Sequence, residues 1–191
     1  MPRARRDTGA EIQAAALDLF ARKGFEKTSL REVAERLGIT KAALYYHFPS
    51  KSDLLRSLVE PLCQDMGDLL ARYGEEPRGA PGEGSGRARE LLGDYFDLCV
   101  RHSTLLVAVL DDVGALADIG LIDDVLSWRR GLDRLLAGPG HGVPPRMGAV
   151  IALGGIREVC VTLPAEEALA YREHALDSAL AALVSGMSQK D

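Results

Sequence analysis

Residues Thr28 to Leu55, TSLREVAERLGITKAALYYHFPSKSDLL, constrain this chain more than any other stretch. Ser29-Leu-Arg-Glu32 pairs a serine with a glutamate three residues on, so that side chain and backbone can cap each other at a helix start. The helix it opens runs from Leu30 to Leu37, with Leu30, Val33, Ala34 and Leu37 at inward spacing. Gly38 supplies the positive φ of a tight turn, and Ile39 is placed to pin that turn to a core. Thr40 caps the next helix, Lys41–His47, which Pro49 stops. Leu44 points inward from it and Phe48 packs beneath. Ser50-Lys-Ser-Asp53 then caps a further helix. Upstream, Thr8-Gly-Ala-Glu11 carries the same signature and opens a helix to about Lys23. Ile12, Ala16, Leu19 and Phe20 share one face of it, and Gly24 ends it in the left-handed conformation.

Short helices at these spacings, with a glycine turn between the second and third, have the shape of a helix-turn-helix. Such a unit lays its last helix in a DNA major groove. The net charge of −5 argues against a nucleic-acid partner until its distribution is read. Residues 1–60 hold 11 Lys/Arg against 8 Asp/Glu, and residues 61–191 hold 12 against 20. The positive end coincides with the motif, and the acidic remainder disfavours nucleic acid elsewhere. Residues 1–7, with Arg3, Arg5 and Arg6, read as a mobile basic arm.

No apolar run is long enough for a membrane span, and no apolar signal-peptide core follows the N-terminal arginines, so the cytoplasm is the expected compartment. Cys63, Cys99 and Cys160 are far apart and lack metal-ligand spacing. They are expected to be reduced, mostly buried thiols. His102, His141 and His174 are scattered, so neither a metal nor a cofactor is expected. An enzyme with a DNA-tethering head would need an acid-base constellation. Asp111, Asp112, Asp123, Asp124 and His102 offer only adjacent pairs at helix ends, which read as solvated faces.

The rest of the chain is helical throughout. The helix opened at Ser50 carries Leu54, Leu55, Leu58, Val59 and Leu62 and continues toward Met66, Leu69 and Leu70. Pro61 inside it removes a backbone hydrogen bond and predicts a kink near Ser57–Pro61. Residues 74–87, rich in glycine and proline, read as a loop. Helices are expected over 88–102, 104–117 and 121–137, the last built on Leu121, Val125, Trp128, Leu132 and Leu135. Residues 138–145 read as a loop. Two long helices, 146–163 and 165–185, close the chain, with Pro164 between them. The small residues Gly148, Ala149, Ala152, Gly154 and Gly155 let another helix approach the first closely. The fold is therefore all-α, with about nine helices.

Ala14–Phe20 and Lys23–Leu55 together are similar to the TetR family of bacterial transcriptional regulators. The carrying features are Gly-Phe after the first helix, the Ser/Thr-led second helix, Gly-Ile in the turn, and Leu-Tyr-Tyr-His-Phe followed by Ser-Lys-x-x-Leu. The resemblance covers about a quarter of the chain. It implies a DNA-binding domain over residues 1–50 and an effector-binding and dimerisation domain over residues 51–191. The DNA site is then Ser29, Thr40, Lys41, Ala42, Ala43, Tyr45, Tyr46, His47 and Lys51. Ala42 and Ala43 are small enough to let the helix sit deep and to meet a thymine methyl. Lys41 can donate to a guanine edge or a phosphate, and Tyr45, Tyr46 and His47 divide base contact and phosphate positioning. Ser29 and Thr40 bring hydroxyls and helix N-terminal N–H groups to the backbone. Lys51 resembles the family's backbone-clamping lysine. Two adjacent tyrosines cannot both point inward, so at least one is exposed.

The expected function is a ligand-responsive repressor that binds a palindromic double-stranded DNA operator as a homodimer through its last two helices. A small apolar or amphipathic effector would release it. Met66, Tyr95, Cys99, His102, Leu106 and Trp128 are the candidate effector-lining residues: apolar bodies with a few polar tips.

Overall fold

A computed structural model describes residues 8–74, 84–110, 113–138 and 143–187. Every regular element among them is helical: α1 (Thr8–Lys23), α2 (Leu30–Leu37), α3 (Lys41–His47), α4 (Lys51–Gly74), α5 (Gly84–Arg101), α6 (Ser103–Leu110), α7 (Val113–Asp118), α8 (Ile122–Ala137), α9 (Val143–Thr162), α10 (Ala165–Ala170) and α11 (Arg172–Met187). The basic arm, the centre of the glycine-rich loop, Asp111, Asp112 and His141 lie outside the described residues.

Several boundaries differ from the sequence expectation. Thr8 is the first helical residue of α1 rather than its cap. α5 begins at Gly84, inside the stretch read as loop. α9 begins at Val143 because Pro144 and Pro145 fall in its first turn, where the missing N–H groups have no helical partner anyway. The final helix is two helices, α10 and α11, parted at Tyr171 (φ −107°, ψ 17°). Hydrogen bonds of helical span persist on both sides, from the Tyr171 N–H to the Glu167 carbonyl (3.2 Å) and from the Ala175 N–H to the Tyr171 carbonyl (3.0 Å). With neither proline nor glycine at the break, the sequence carries no sign of it. α4 is continuous through Pro61.

The described chain falls into two compact units, residues 1–63 with 104–122, and residues 64–103 with 123–191. In the first, α1 lays Ile12, Ala15, Ala16, Leu19 and Phe20 into a core that also takes Phe25, Leu30, Val33, Ala34, Leu44, Leu54 and Leu55. Phe20 and Phe25 meet edge to face at 5.2 Å, which favours their opposed ring charges. Ile39 and Phe48, expected to pack inward, are half-buried, and so is Leu37.

In the second unit, α5 buries Leu91, Leu92, Tyr95, Phe96, Leu98 and Cys99, and α9 buries Gly148, Ala149, Ala152, Leu153, Ile156 and Cys160. α11 contributes Leu176, Ala179 and Leu183. A methyl added at Gly148 would meet the Ala182 carbonyl oxygen at 2.8 Å and the Leu183 Cα at 3.2 Å. Glycine here sets how closely α9 and α11 approach. Arg172 crosses from α11 to α5 and grips both oxygens of Asp97 at 2.8 and 3.0 Å. Gly93 leaves room for that guanidinium, since a Cβ there would lie 2.8 Å from Arg172 Nη2. In α8 the buried residues are Leu132, Leu136 and Ala137, whereas Leu121, Val125, Trp128 and Leu135 are only half-buried. Cys99 and Cys160 are buried thiols and Cys63 is half-buried. Burial pushes the Cys99 thiol up to about 12 and Cys160 to about 11, so both remain protonated and unreactive at neutral pH.

Gly148→Ala is expected to lower the unfolding free energy by about 1–3 kcal/mol, because backbone on α11 cannot yield as a side chain can. Urea denaturation measures it, and an unchanged midpoint would mean that α9 and α11 are free to separate.

Candidate nucleic-acid interface

α2 and α3 are eight and seven residues long, too short to stand alone in water. Their ends are therefore held individually. At the start of α2, the Ser29 Oγ accepts from the Glu32 N–H at 3.3 Å, and Glu32 Oε2 accepts from the Ser29 N–H at 2.9 Å. This is the reciprocal cap the sequence predicts. Lys23 adds an ion pair to Glu32 at 2.9 Å. The lysine contact and then the two Ser29 contacts hold the Glu32 carboxyl down at about 2. α2 ends on Gly38 (φ 64°), and the Ile39 N–H reaches back to the Ala34 carbonyl at 3.1 Å. At the start of α3, Thr40 Oγ1 accepts from the Ala43 N–H at 3.1 Å.

These caps fix which face of α3 is outward. Leu44 is 1% exposed, while Tyr45 and Tyr46 are 50% and 86% exposed. Lys41, Ala42 and His47 are also exposed, and Ala43 is half-buried. Lys41, Ala42, Tyr45 and Tyr46 thus form one outward strip at spacings of one and four, with His47 edge-on to Tyr46 at 5.5 Å. Tyr46 is thus a large aromatic left open on a short, well-capped helix. Ser29 and Thr40 are exposed at the two helix starts.

Lys51 has an internal role that its position in the sequence did not reveal. Its ammonium donates to the carbonyls of Phe25 (3.0 Å) and Glu26 (3.4 Å) and sits 4.1 Å from the centre of the Phe25 ring. It therefore closes the turn between α1 and α2 from the first turn of α4, with one N–H still available. Thr28 was missed as well. It is 2% exposed, and its hydroxyl lies 3.0 Å from the Gly24 carbonyl and 3.4 Å from that of Leu19. A hydroxyl three residues after Gly-Phe is the sequence signal that could have found it.

Of the residues expected to line an effector site, Met66, Tyr95, Cys99, His102 and Trp128 belong to the second unit and Leu106 to the first. Met66, Tyr95 and Cys99 are buried. The polar tip of His102 is engaged: its Nε2 lies 2.8 Å from Asp65 Oδ2, which Arg101 also meets at 2.6 Å. The His102 hydrogen bond, with help from Arg101, lowers the Asp65 carboxyl. A cleft of about 450 Å³ opens elsewhere in this unit, among Tyr73, Arg89, Gly93, Asp94, Arg172 and Glu173. None of the expected lining residues borders it, and its arginines are already paired with Glu173, Asp177 and Asp97. Asp123 and Asp124 lie exposed in the first turn of α8, in keeping with a solvated pair. Among the described residues there is no cluster of metal ligands, and no helix is long and apolar enough to cross a membrane.

Residues 12–58 match the family described as bacterial regulatory proteins, tetR family. The transcriptional regulator AcrR of Shigella flexneri is 36% identical over 86 residues, which cover 45% of this chain and 39% of AcrR. The chain thus spans well under half the length of that relative. A TetR-like transcriptional regulator from Rhodococcus sp. RHA1 shares the fold over the full length of both chains, with a TM-score of 0.66 and 21% identity. The regulator FadR of Bacillus subtilis, solved in complex with stearoyl-CoA, overlaps 93% of this chain and 98% of its own at a TM-score of 0.60 and 19% identity. At those identities the likeness is one of fold.

Glu32 gives a test of the cap. Its carboxyl titrates near 4.5 when free and about 2 when folded. In that window the unfolded chain binds more protons, so stability rises with pH. The contribution is complete above pH 4.5 and is lost as pH falls toward 2. Glu32→Gln should flatten the acid limb of a urea-midpoint against pH curve in that window. An identical limb in both proteins would mean that the cap does not form in solution.

Proposed function

We propose, from the match of residues 12–58 to the tetR family of bacterial regulatory proteins, that the chain is a DNA-binding transcriptional regulator, acting as a repressor on a palindromic operator and released by a small molecule. The observation that carries the proposal is the outward strip of α3, capped at Thr40 and backed by buried Leu44. Lys41, Ala42, Tyr45 and Tyr46 enter the major groove, with Ala43 and His47 at its margins. Ser29 and Thr40 meet phosphates beside the helix starts, and Lys51 offers its remaining N–H to the backbone. The reader occupies residues 1–50, and residues 51–191 serve effector binding and dimerisation. Such a protein works in the cytoplasm, where its DNA is.

One reader helix covers only a few base pairs, so specificity calls for a two-fold dimer on paired half-sites. The supporting feature is an outer apolar face on α9: Val143, Met147, Val150 and Ile151 are all exposed at helical spacing, opposite the face that meets α11. Tyr171 and Val184 add exposed apolar surface on the last segments. A patch of this kind is characteristic of an interface.

An effector, apolar or amphipathic, would bind within the second unit near Met66, Tyr95, Cys99, His102 and Trp128. The FadR relative in fold holds an acyl-CoA, which fits an apolar cavity between helices. Leu106, in the other unit, is left out of this assignment. Binding would favour a conformation whose two readers are wrongly spaced for the operator. A constitutive regulator without effector is the second reading, favoured by the near-complete burial of Met66, Tyr95 and Cys99.

Selection of bound duplexes from a random pool, followed by a compound screen for release, tests the proposal. A two-fold symmetric consensus and a releasing compound are expected. No enriched sequence would refute DNA reading, and saturable binding of a compound without release would refute the switch. Lys51→Ala should weaken all duplexes about equally and reduce the salt slope by about 1; a loss confined to one sequence would contradict a phosphate contact, and an unchanged salt slope would limit Lys51 to its contact with Phe25 and Glu26. Ile151→Glu should convert dimer to monomer in sedimentation, and a persistent dimer would move the interface away from α9.

A further inference from the structure

α4 lacks one hydrogen bond by its covalent structure. The carbonyl of Ser57 would ordinarily accept from the N–H of residue 61, and residue 61 is proline, which has none. A half-buried carbonyl without a partner is costly. Here a side chain from another helix takes the place of the missing donor. Gln13 Nε2, on α1, lies 3.0 Å from Ser57 Oγ and 3.5 Å from the Ser57 carbonyl oxygen. The Ser57 hydroxyl in turn donates to the Leu54 carbonyl at 2.7 Å, a back-bond that bends helices. One glutamine amide thus serves both polar groups of Ser57 one turn before Pro61.

We propose that Gln13 is a positioning residue whose amide substitutes for the helix donor absent at Pro61 and so fixes α1 in register on α4. The partners are complementary in number. A primary amide has two N–H donors, and Ser57 presents two acceptors to it, a carbonyl that Pro61 cannot serve and the oxygen of a hydroxyl whose own proton is given to Leu54. Ile12 and Ala16 of α1 and Leu54 and Leu55 of α4 are apolar and buried in the same unit. Apolar surfaces slide with little directional penalty, whereas a forked hydrogen bond defines one register. Because α1 packs on α2 and α2 on α3, fixing α1 on α4 also fixes the outward strip of α3 relative to α4. The inference concerns the first unit alone, and only its second readout rests on the proposed reading of DNA.

The test is a double-mutant cycle in the full chain. Gln13→Met keeps length and helix preference but removes both donors, and Pro61→Ala restores the helix's own donor to Ser57. Gln13→Met alone should lower Tm by about 3 °C. In the Pro61→Ala background the same change should lower Tm by less than half as much. It should also weaken binding to a duplex selected by the unmodified protein about fivefold, and Pro61→Ala should recover most of that loss, which a role in stability alone would not produce. Equal Tm losses in both backgrounds would overturn the substitution of donors. Disappearance of the Gln13→Met effect in Ser57→Ala would overturn it too, because the hydroxyl would then be the only partner. If the unmodified protein selects no duplex, the DNA reading fails while the Tm cycle still decides the latch.

Discussion

A seven-residue helix has almost no interior. With four orphan N–H groups at one end and four orphan carbonyls at the other, α3 is nearly all terminus, and its existence depends on what satisfies those ends. Thr40 meets the first turn and the Phe48 N–H closes onto the Leu44 carbonyl. Leu44 is the single buried side chain that holds it to the rest. That economy leaves the other side of α3 without internal obligations. Lys41, Ala42, Tyr45 and Tyr46 face outward, which leaves them open for the groove contact proposed for them.

The same dependence on borrowed partners recurs through the first unit. Gly24 and Gly38 end α1 and α2 in the left-handed conformation. Lys51 satisfies carbonyls in the turn between α1 and α2, and Thr28 answers that turn from inside. Gln13 answers Ser57 where Pro61 cannot. Each of these contacts is worth about 1 kcal/mol, and none would hold a domain alone. Together they turn an apolar cluster into one with a defined register, because hydrogen bonds have direction and hydrophobic contacts do not.

The second unit is built the opposite way, on small residues and close helix approach. Gly148 admits the backbone of α11, and Gly93 admits the guanidinium of Arg172. Of the ion pairs across it, those of Arg89 with Glu173 and Asp177 are the more exposed and add little to stability, while Arg172 with Asp97 is part-buried and two-pronged. Hence a one-carbon change at Gly148 has more consequence than the loss of a surface charge.

Features that depend on residues within about one helical turn of each other could be read without the fold. The Ser29–Glu32 cap, the Gly38 turn, the Thr40 cap and the limits of α2 and α3 were all legible, and so was the all-α class. The outward face of α3 followed from Leu44 alone. Contacts between residues far apart in the chain were decided only by the tertiary structure. Lys51 meets Phe25 across 26 positions and Gln13 meets Ser57 across 44, and no local pattern marks either. Likewise the small residues of α9 signalled a close neighbour without saying which. The fold assigns Gly148 to α11 of the same chain, leaving Val143, Met147, Val150 and Ile151 outward. The break at Tyr171 belongs with these, because a single residue can leave helical backbone geometry while its neighbours keep their hydrogen bonds, and composition does not register the change.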